Sequence, residues 1–403
     1  MIGLAWRNLF RHRRRTATTL ASIAFGAVGL ILTGGFVQDI FDQLGEALIH
    51  SQSGHLQVYK RGYLEAGTRS PERFFIDAPR SVVERLEALP EVTTVLTRVA
   101  FAGLLNNGRS DWGILGEGIE PGKEARLGTF VTMIAGRPLR DDDRSSIVVG
   151  QGVASALGLK VGDRTTLVVN TAGGALNSAD LEVVGIFQTF SKDYDARAVR
   201  ISLEASEDLL QTSGITSIVV LLRDTKATSR VASLAQSAIK DQPLELHTWR
   251  QLNDFYDKTI TLYERQFGIL QLIILAMIAL SVANSVNLNV FERTAEFGTM
   301  KALGARGKTV ASLVMVECAM LGLGGGAIGV TLGVVMAWTI SAIGIPMPPP
   351  PNANVGYTAY IQVVPAILVL AVCVAALATL LAGVLPALKV ARMPIVDALR
   401  TSI

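Results

Sequence analysis

Four stretches of this chain are too long and too apolar to be core elements of an ordinary soluble protein. Residues 16–38, 266–291 and 357–388 contain no charged side chain, and residues 309–340 contain one, Glu317. A helix needs ~20 predominantly apolar residues to cross the hydrocarbon layer of a bilayer. Only helices and closed barrels satisfy every backbone polar group there. Each stretch therefore predicts one membrane crossing, with Pro365 and Pro386 blurring the ends of the last. Charged residues make up 18% of the 403, against ~25% in a typical soluble domain. The shortage is uneven: residues 39–265 read as a soluble domain, while on either side of it charge is sparse and confined to short segments between the apolar runs and at the chain's ends. The fold class this predicts is an α-helical membrane protein with four transmembrane helices and a large mixed α+β extracytoplasmic domain.

Basic residues orient the crossings, because Lys and Arg concentrate in loops on the cytoplasmic side. Arg7 and the cluster Arg11, Arg13, Arg14 and Arg15 put segment 1–15 inside. Residues 39–265 then lie outside. The loop 292–308, with Arg293, Lys301, Arg306 and Lys308, returns inside. The uncharged loop 341–356, with prolines at 348–351, lies outside, and the tail 389–403, with Lys389, Arg392 and Arg400, lies inside. The first run is longer than the roughly 7–15-residue core of a signal peptide and reads as an uncleaved anchor. Ahead of it, Ile2, Trp6, Leu9 and Phe10 recur at helical spacing, with Arg7, Arg11 and Arg14 off that stripe. An interfacial amphipathic helix fits this pattern, with Trp at headgroup level and Arg toward lipid phosphates. A plain basic anchor fits it equally.

About 225 residues separate the first two crossings, enough for one or two domains. Phe36, Ile40, Leu44 and Leu48 on the way in, and Leu252, Phe255, Leu262 and Phe267 on the way out, are spaced as on helices. They predict a helical stalk that continues the spans. Between them, strands are expected at 55–59, 146–149, 164–169, 181–187 and 217–222. Helices are expected at 80–89, 153–157, 202–211 and 229–240, with turns at Gly162-Asp163 and Gly173-Gly174.

A search for catalytic or metal chemistry finds little. His12, His50, His55 and His247 form no zinc spacing, and no G-x-S-x-G elbow occurs. Cys318 and Cys373 both fall in apolar runs and imply no disulfide framework. Asp141, Asp142 and Asp143 read as a solvated turn. Gly307-Lys308-Thr309 resembles the end of a P-loop, but Ala302 occupies the position that needs the first glycine, and no strand leads in. Gly324, Gly326 and Gly329 match G-x-G-x-x-G inside a membrane run. Gly322, Gly325, Gly326, Gly329 and Gly333 instead give overlapping G-x-x-x-G spacings, which let helices approach closely, within the subunit or across a dimer. Glu317 is expensive to expose to lipid, so it should face protein, water or an interface. A polar packing contact and a proton or substrate site are both open for it. No catalytic, cofactor or metal residue is predicted, and the net charge of +3 gives no ground for nucleic-acid binding.

The loop 292–308 is the most informative segment. Glu292 and Glu296 are four apart, which places them on one face of a short helix that Gly298 and Gly304 can turn or end. A charged helix slung between two crossings suits docking to a partner; a solvated connector fits the same residues. The run E-R-T-A-E-F-G-T-M-K-A-L-G-A at 292–305 resembles the cytoplasmic loop of the FtsX-like/MacB-like (type VII) ABC transporter permeases. L-A-W-R-N-L-F-R-H-R-R-R-T at 4–16 and P-A-L-K-V-A-R-M-P-I-V-D-A-L-R at 386–400 resemble the two ends of that family. G-R-P-L at 136–139, then S-I-V-V-G and G-L-K-V-G-D, resemble its periplasmic core.

The resemblance implies a permease in the bacterial inner membrane whose large domain is periplasmic. It implies two copies of a cytoplasmic ATPase, which bind the ATP, and a second permease subunit, either a copy or a paralogue. Glu292, Arg293, Glu296, Phe297, Gly298, Lys301 and Gly304 would map to the coupling helix. ATP-driven closure would pass up the spans to the periplasmic domain, a mechanism known as mechanotransmission. Without a fused ATPase domain, and with this length and span count, the chain is most similar to the lipoprotein-releasing LolC/LolE-like subgroup. That subgroup adds a periplasmic lipoprotein, chaperone or adaptor as a partner. A permease that releases lipoproteins or lipids or exports hydrophobic compounds, a regulatory permease that activates a cell-wall hydrolase, and a membrane-anchored sensor are the readings to separate.

Overall fold

The computed structural model describes all residues except 1, 12, 68–70, 350–355 and 395–403. The chain opens with α1 (Ile2–Arg11) and α2 (Arg13–Leu48), then β1 (Leu56–Lys60), α3 (Arg80–Glu87), β2 (Val92–Asn106), β3 (Asp111–Ile119), α4 (Pro121–Leu127) and β4 (Thr132–Gly136). Next come β5 (Ser146–Gly150), α5 (Gln151–Leu157), β6 (Arg164–Asn170), β7 (Leu176–Gln188), α6 (Lys192–Asp195), β8 (Ala198–Ser202), α7 (Leu203–Leu210) and β9 (Ser217–Leu222). It closes with α8 (Thr228–Ile239), β10 (Leu244–Thr248), α9 (Trp249–Leu252), α10 (Asp254–Glu292), α11 (Thr294–Ala302), α12 (Gly307–Ile343), β11 (Ile345–Met347), β12 (Tyr357–Ala359) and α13 (Pro365–Arg392). Contacts divide the chain into two units. One is Met1–Asp42, Thr259–Pro346 and Thr358–Ile403; the other is Gln43–Lys258 with Met347–Tyr357.

The first unit is a helical bundle. Four of its helices, α2, α10, α12 and α13, are long and apolar enough to cross a membrane. The first apolar run and the incoming stripe Phe36, Ile40, Leu44 and Leu48 belong to one unbroken helix, α2. The outgoing stripe is divided: Leu252 ends the short α9, and α10 starts at Asp254 and continues to Glu292. The helical part of the run 357–388 begins only at Pro365, because β12 occupies its first three residues. Proline favours the first helical position and holds Val364 before it in extended backbone. Pro386 does not end α13, which continues to Arg392. Arg400 and Pro350–Pro351 lie outside the described residues, as does His12. Ile278, Val282 and Val286 of α10, Val310, Leu313 and Leu321 of α12, and Ala375, Ala378 and Ala382 of α13 form the bundle core with Ile23 of α2.

The glycines of α12 are the contact points of that bundle. A Cβ at Gly322 would sit 2.2 Å from Thr379 Oγ1, and one at Gly326 3.4 Å from Val372 Cα, both on α13. On the other side, a Cβ at Gly325 would fall 2.7 Å from Ile23 Cβ, one at Gly329 2.5 Å from Ala27 Cβ, and one at Gly333 2.9 Å from Ile31 Cδ1, all on α2. The two interleaved G-x-x-x-G series therefore serve two neighbours within one subunit.

The second unit carries a ten-stranded sheet in the order β10-β1-β9-β2-β3-β8-β5-β7-β4, with β6 paired to β2 and β7. The pairs β3/β8 and β5/β7 are parallel and the others antiparallel. Helices α3, α7 and α8 cover one face, where Val82, Leu86, Leu209, Val231 and Ile239 meet Val58, Val95, Val99, Ile201, Ile218 and Val220. β9 is buried at all six positions, as a central strand without polar relief should be. The strands and helices expected here are present within a few residues, except that β7 begins five residues earlier. The sequence did not suggest β2, β3, β4, β8, β10, α4 or α6.

Candidate coupling site

The turn from α10 into α12 is built around Arg293. Its φ of −100° and ψ of 14° stop α10 at Glu292, so α11 starts afresh at Thr294. Glu292 and Glu296 therefore belong to two helices, not to one face of a single short helix as their spacing suggested. At this break the Arg293 side chain turns inward. Its Nη1 donates to both oxygens of Glu317 at 3.0 and 3.1 Å, and its Nε donates to Glu296 Oε2 at 3.1 Å. The guanidinium also lies over the ring of Phe297, 5.0 Å from the centroid. Asn8 Nδ2 of α1 donates to Glu317 Oε1 at 2.8 Å. Arg293, Phe297 and Glu317 are all buried. An unpaired carboxylate in a membrane helix is costly; here an arginine and an amide meet it. That geometry supports the packing role for Glu317.

The other end of α11 is fixed by backbone chemistry. Gly304, with φ +95°, donates its N–H to Lys301 O, and Ala305 N–H donates to Met300 O. This is a Schellman ending, and the positive φ is why glycine stands there. Gly298 does not turn the helix. It is buried in the middle of α11, where packing beside Phe297 outweighs its weak helix propensity. Lys301 Nζ donates to the carbonyls of Val390, Ala391 and Met393 at 2.8–2.9 Å. Those groups close α13, where carbonyls lack helical partners and the helix dipole favours a cation. A Cβ on Gly307, at the start of α12, would sit 2.5 Å from Ala391 O.

Two further ion pairs reach α11 and its border from the chain's beginning. Arg15 donates to both oxygens of Glu292 at 2.6 Å, and Arg11 Nη1 donates to Glu296 Oε1 at 2.9 Å. The resemblance maps Arg293, Phe297 and Lys301 to the coupling helix; their side chains point inward, Arg293 to Glu317 of α12, Lys301 to the end of α13 and Phe297 into the bundle core. Sequence reasoning missed Asn8, Arg11 and Arg15. One signal was available: Arg11 and Arg15 are four apart, as are Glu292 and Glu296. Outward in and beside α11 are Thr299 and Ala302, the partly exposed carboxylates of Glu296 and, at the end of α10, Glu292, and Leu303 just past the helix, which is 85% exposed.

A model of the MacB-like periplasmic core domain matches residues 16–238, more than half the chain. A model of the FtsX-like permease C-terminal region matches residues 268–395 and so contains α11. The chain belongs to the MacB/FtsX/LolC family of ABC transporter permeases. The lipoprotein-releasing system transmembrane protein LolC of Neisseria meningitidis serogroup B is 23% identical over 341 residues, 81% of this chain and 78% of that one. The macrolide export ATP-binding/permease protein MacB of Hyphomonas neptunium is 25% identical over 429 residues, 99% of this permease and 60% of that protein. The periplasmic region of MacB from Actinobacillus actinomycetemcomitans superposes with a TM-score of 0.38 at 15% identity, over 52% of this permease and 95% of that chain.

The permease has a second charged cluster, inside the sheet unit. Arg98 of β2 is paired with Glu124 of α4, and Arg200 of β8 donates to Glu117 of β3 at 3.1 Å. Tyr194 Oη donates to Glu117 at 2.8 Å. The two arginines also donate to carbonyls of the π-helical turn Ile49–Ser53: Arg98 to Gln52 O at 2.6 Å and Arg200 to Ser51 O at 3.3 Å. Burial alone would raise the Glu117 carboxyl, but Arg98 and Arg200 outweigh it and hold the group below the usual carboxylate range. His55, next to this turn, accepts Leu222 N–H at Nδ1, while its Nε2 meets Thr225 Oγ1 at 3.0 Å. Burial, then the charge of His50, push its pKa to about 4, against the pull of Glu46 and Asp224. Among the described residues, no group of three or more His, Cys, Asp or Glu side chains is placed to hold a metal ion.

Proposed function

We propose that this chain is the membrane subunit through which a separate cytoplasmic ATPase does mechanical work on the periplasmic side, and that the work is lipoprotein release. The observation that carries this reading is the construction of α11. Arg293 ties its start to Glu317 of α12, and Lys301 ties its end to the last carbonyls of α13. A short helix gripped at both ends transfers a push to the helices that grip it, and the outward surface around it carries the exposed Leu303 and the half-exposed carboxylates of Glu296 and of Glu292 at the end of α10. The ATPase would seat there, two copies serving a pair of permeases, either two copies of this chain or this chain with a paralogue. The distribution of Lys and Arg supports a cytoplasmic position for both termini and for α11, with residues 39–265 periplasmic. The choice of lipoprotein release over export follows the LolC likeness, which extends along most of both chains.

Mild-detergent isolation of the full-length protein from its native membrane, with trapped nucleotide and identification of everything bound, tests this. A P-loop ATPase and a lipoprotein or its carrier should come with it. Recovery without any ATPase would defeat the coupling reading. An ATPase accompanied by a cell-wall hydrolase would replace lipoprotein release with regulation.

A further inference from the structure

The basic residues at the start of the chain divide into two sets. Arg11 and Arg15 are spent on Glu296 and Glu292. Arg7, Arg13 and Arg14 are exposed and have no carboxylate partner among the described residues. α1 turns Ala5, which is fully buried, and Asn8 toward α12, so the opposite side of this helix shows Gly3, Arg7 and Trp6, the last 57% exposed. Arg13 and Arg14 are the first two residues of α2, a helix that then runs apolar through the bundle. They therefore stand at its membrane boundary.

We infer that Arg7, Arg13 and Arg14 with Trp6 form a binding surface for the headgroups of anionic phospholipids. The chemistry fits at each position. Guanidinium groups engage phosphate oxygens through paired N–H donors. An indole partitions to the headgroup level, its ring apolar and its N–H wet. The nearest carboxylates on α11 and its border, Glu292 and Glu296, are paired with the other two arginines, so neither is left to cancel the positive charge of Arg7, Arg13 and Arg14. A protein partner with an acidic face is the competing occupant. Lipid is favoured because the patch continues an apolar helix and includes an exposed tryptophan. A bound headgroup would also steady α1, whose Asn8 and Arg11 hold Glu317 and Glu296; that consequence rests on the coupling reading, whereas the binding does not.

The test uses full-length protein carrying Trp338→Phe, which removes the exposed tryptophan of α12. It is reconstituted into phosphatidylcholine vesicles containing either brominated phosphatidylglycerol or brominated phosphatidylcholine. The emission difference from a Trp6→Phe companion gives the Trp6 signal. Brominated phosphatidylglycerol should quench Trp6 more strongly than brominated phosphatidylcholine. That preference should be lost in high salt and in the triple variant Arg7→Gln/Arg13→Gln/Arg14→Gln. A triple Arg→Lys variant should keep the preference and shows that folding survives substitution here. Equal quenching by the two lipids in the parent, or a preference that persists in the Gln variant, overturns the inference. Loss of a copurifying ATPase from the Gln variant with lipid preference intact would assign the patch to a protein contact.

Discussion

Arg293 keeps a carboxylate from standing alone inside a membrane helix. Removing one partner of a buried ion pair typically costs about 3–5 kcal/mol, because the remaining charge has lost its counterion. Arg293→Met leaves Glu317 with Asn8 only, whereas Glu317→Gln leaves Arg293 with Glu296. Thermal unfolding of the full chain in detergent should therefore show Arg293→Met as the more damaging change. Adding Glu317→Gln to it should recover part of the loss; a double variant worse than both singles would contradict the pairing. His55 gives a pH prediction. Its folded pKa of about 4 lies below the ordinary histidine value near 6.5, so the unfolded chain binds the proton more readily. Its contribution to stability is intact above about pH 6.5 and lost as the pH falls toward 4. His55→Gln should flatten the acid side of the stability curve over that window, and an unchanged curve would remove the histidine from the account. Glu317 was visible in the sequence as an expensive charge, but its partner was not. Arg293 is 24 residues away, and Arg306 and Lys308 were equally basic candidates.

At the scale of elements, the crossings were legible because lipid imposes length and apolarity together. The sheet was only partly so. β5 and β9 read as continuous apolar runs, but β2, β3 and β8 carry Arg98, Glu117 and Arg200, and both arginines are buried. Those charges are tolerable because they pair with one another and with Glu124, a relation that local alternation does not reveal. Glycine spacing predicted close helix approach but left open whether the neighbour lay within the subunit or across a dimer. Packing shows α2 on one side of α12 and α13 on the other. Gly329→Val should prevent assembly of the bundle, since even a Cβ there meets Ala27 at 2.5 Å. Gly324→Ala should be tolerated, because its nearest neighbour, Leu20 Cδ2, is 3.6 Å away. Protease resistance of the two variants in membranes reads the difference; equal resistance would mean α12 does not pack as described. Gly304→Ala should cost about 1 kcal/mol through its positive φ.

For the whole molecule, the sequence carried the family through motifs at the loop, both ends and the sheet unit, and the family matches agree over residues 16–238 and 268–395. What the motifs did not carry was the division of labour within the loop, since docking residues and structural residues share one short charged segment. Arg293 and Lys301 hold α11; Leu303 faces out. The most direct test places a photo-crosslinking amino acid at position 303, at the outward tip of α11, or at position 343, the exposed last residue of α12. The account expects a crosslink from position 303 to an ATP-binding protein, strengthened by trapped nucleotide, and none from position 343. An ATPase crosslinked from position 343, or none from 303 in protein that folds and inserts normally, would contradict coupling through α11.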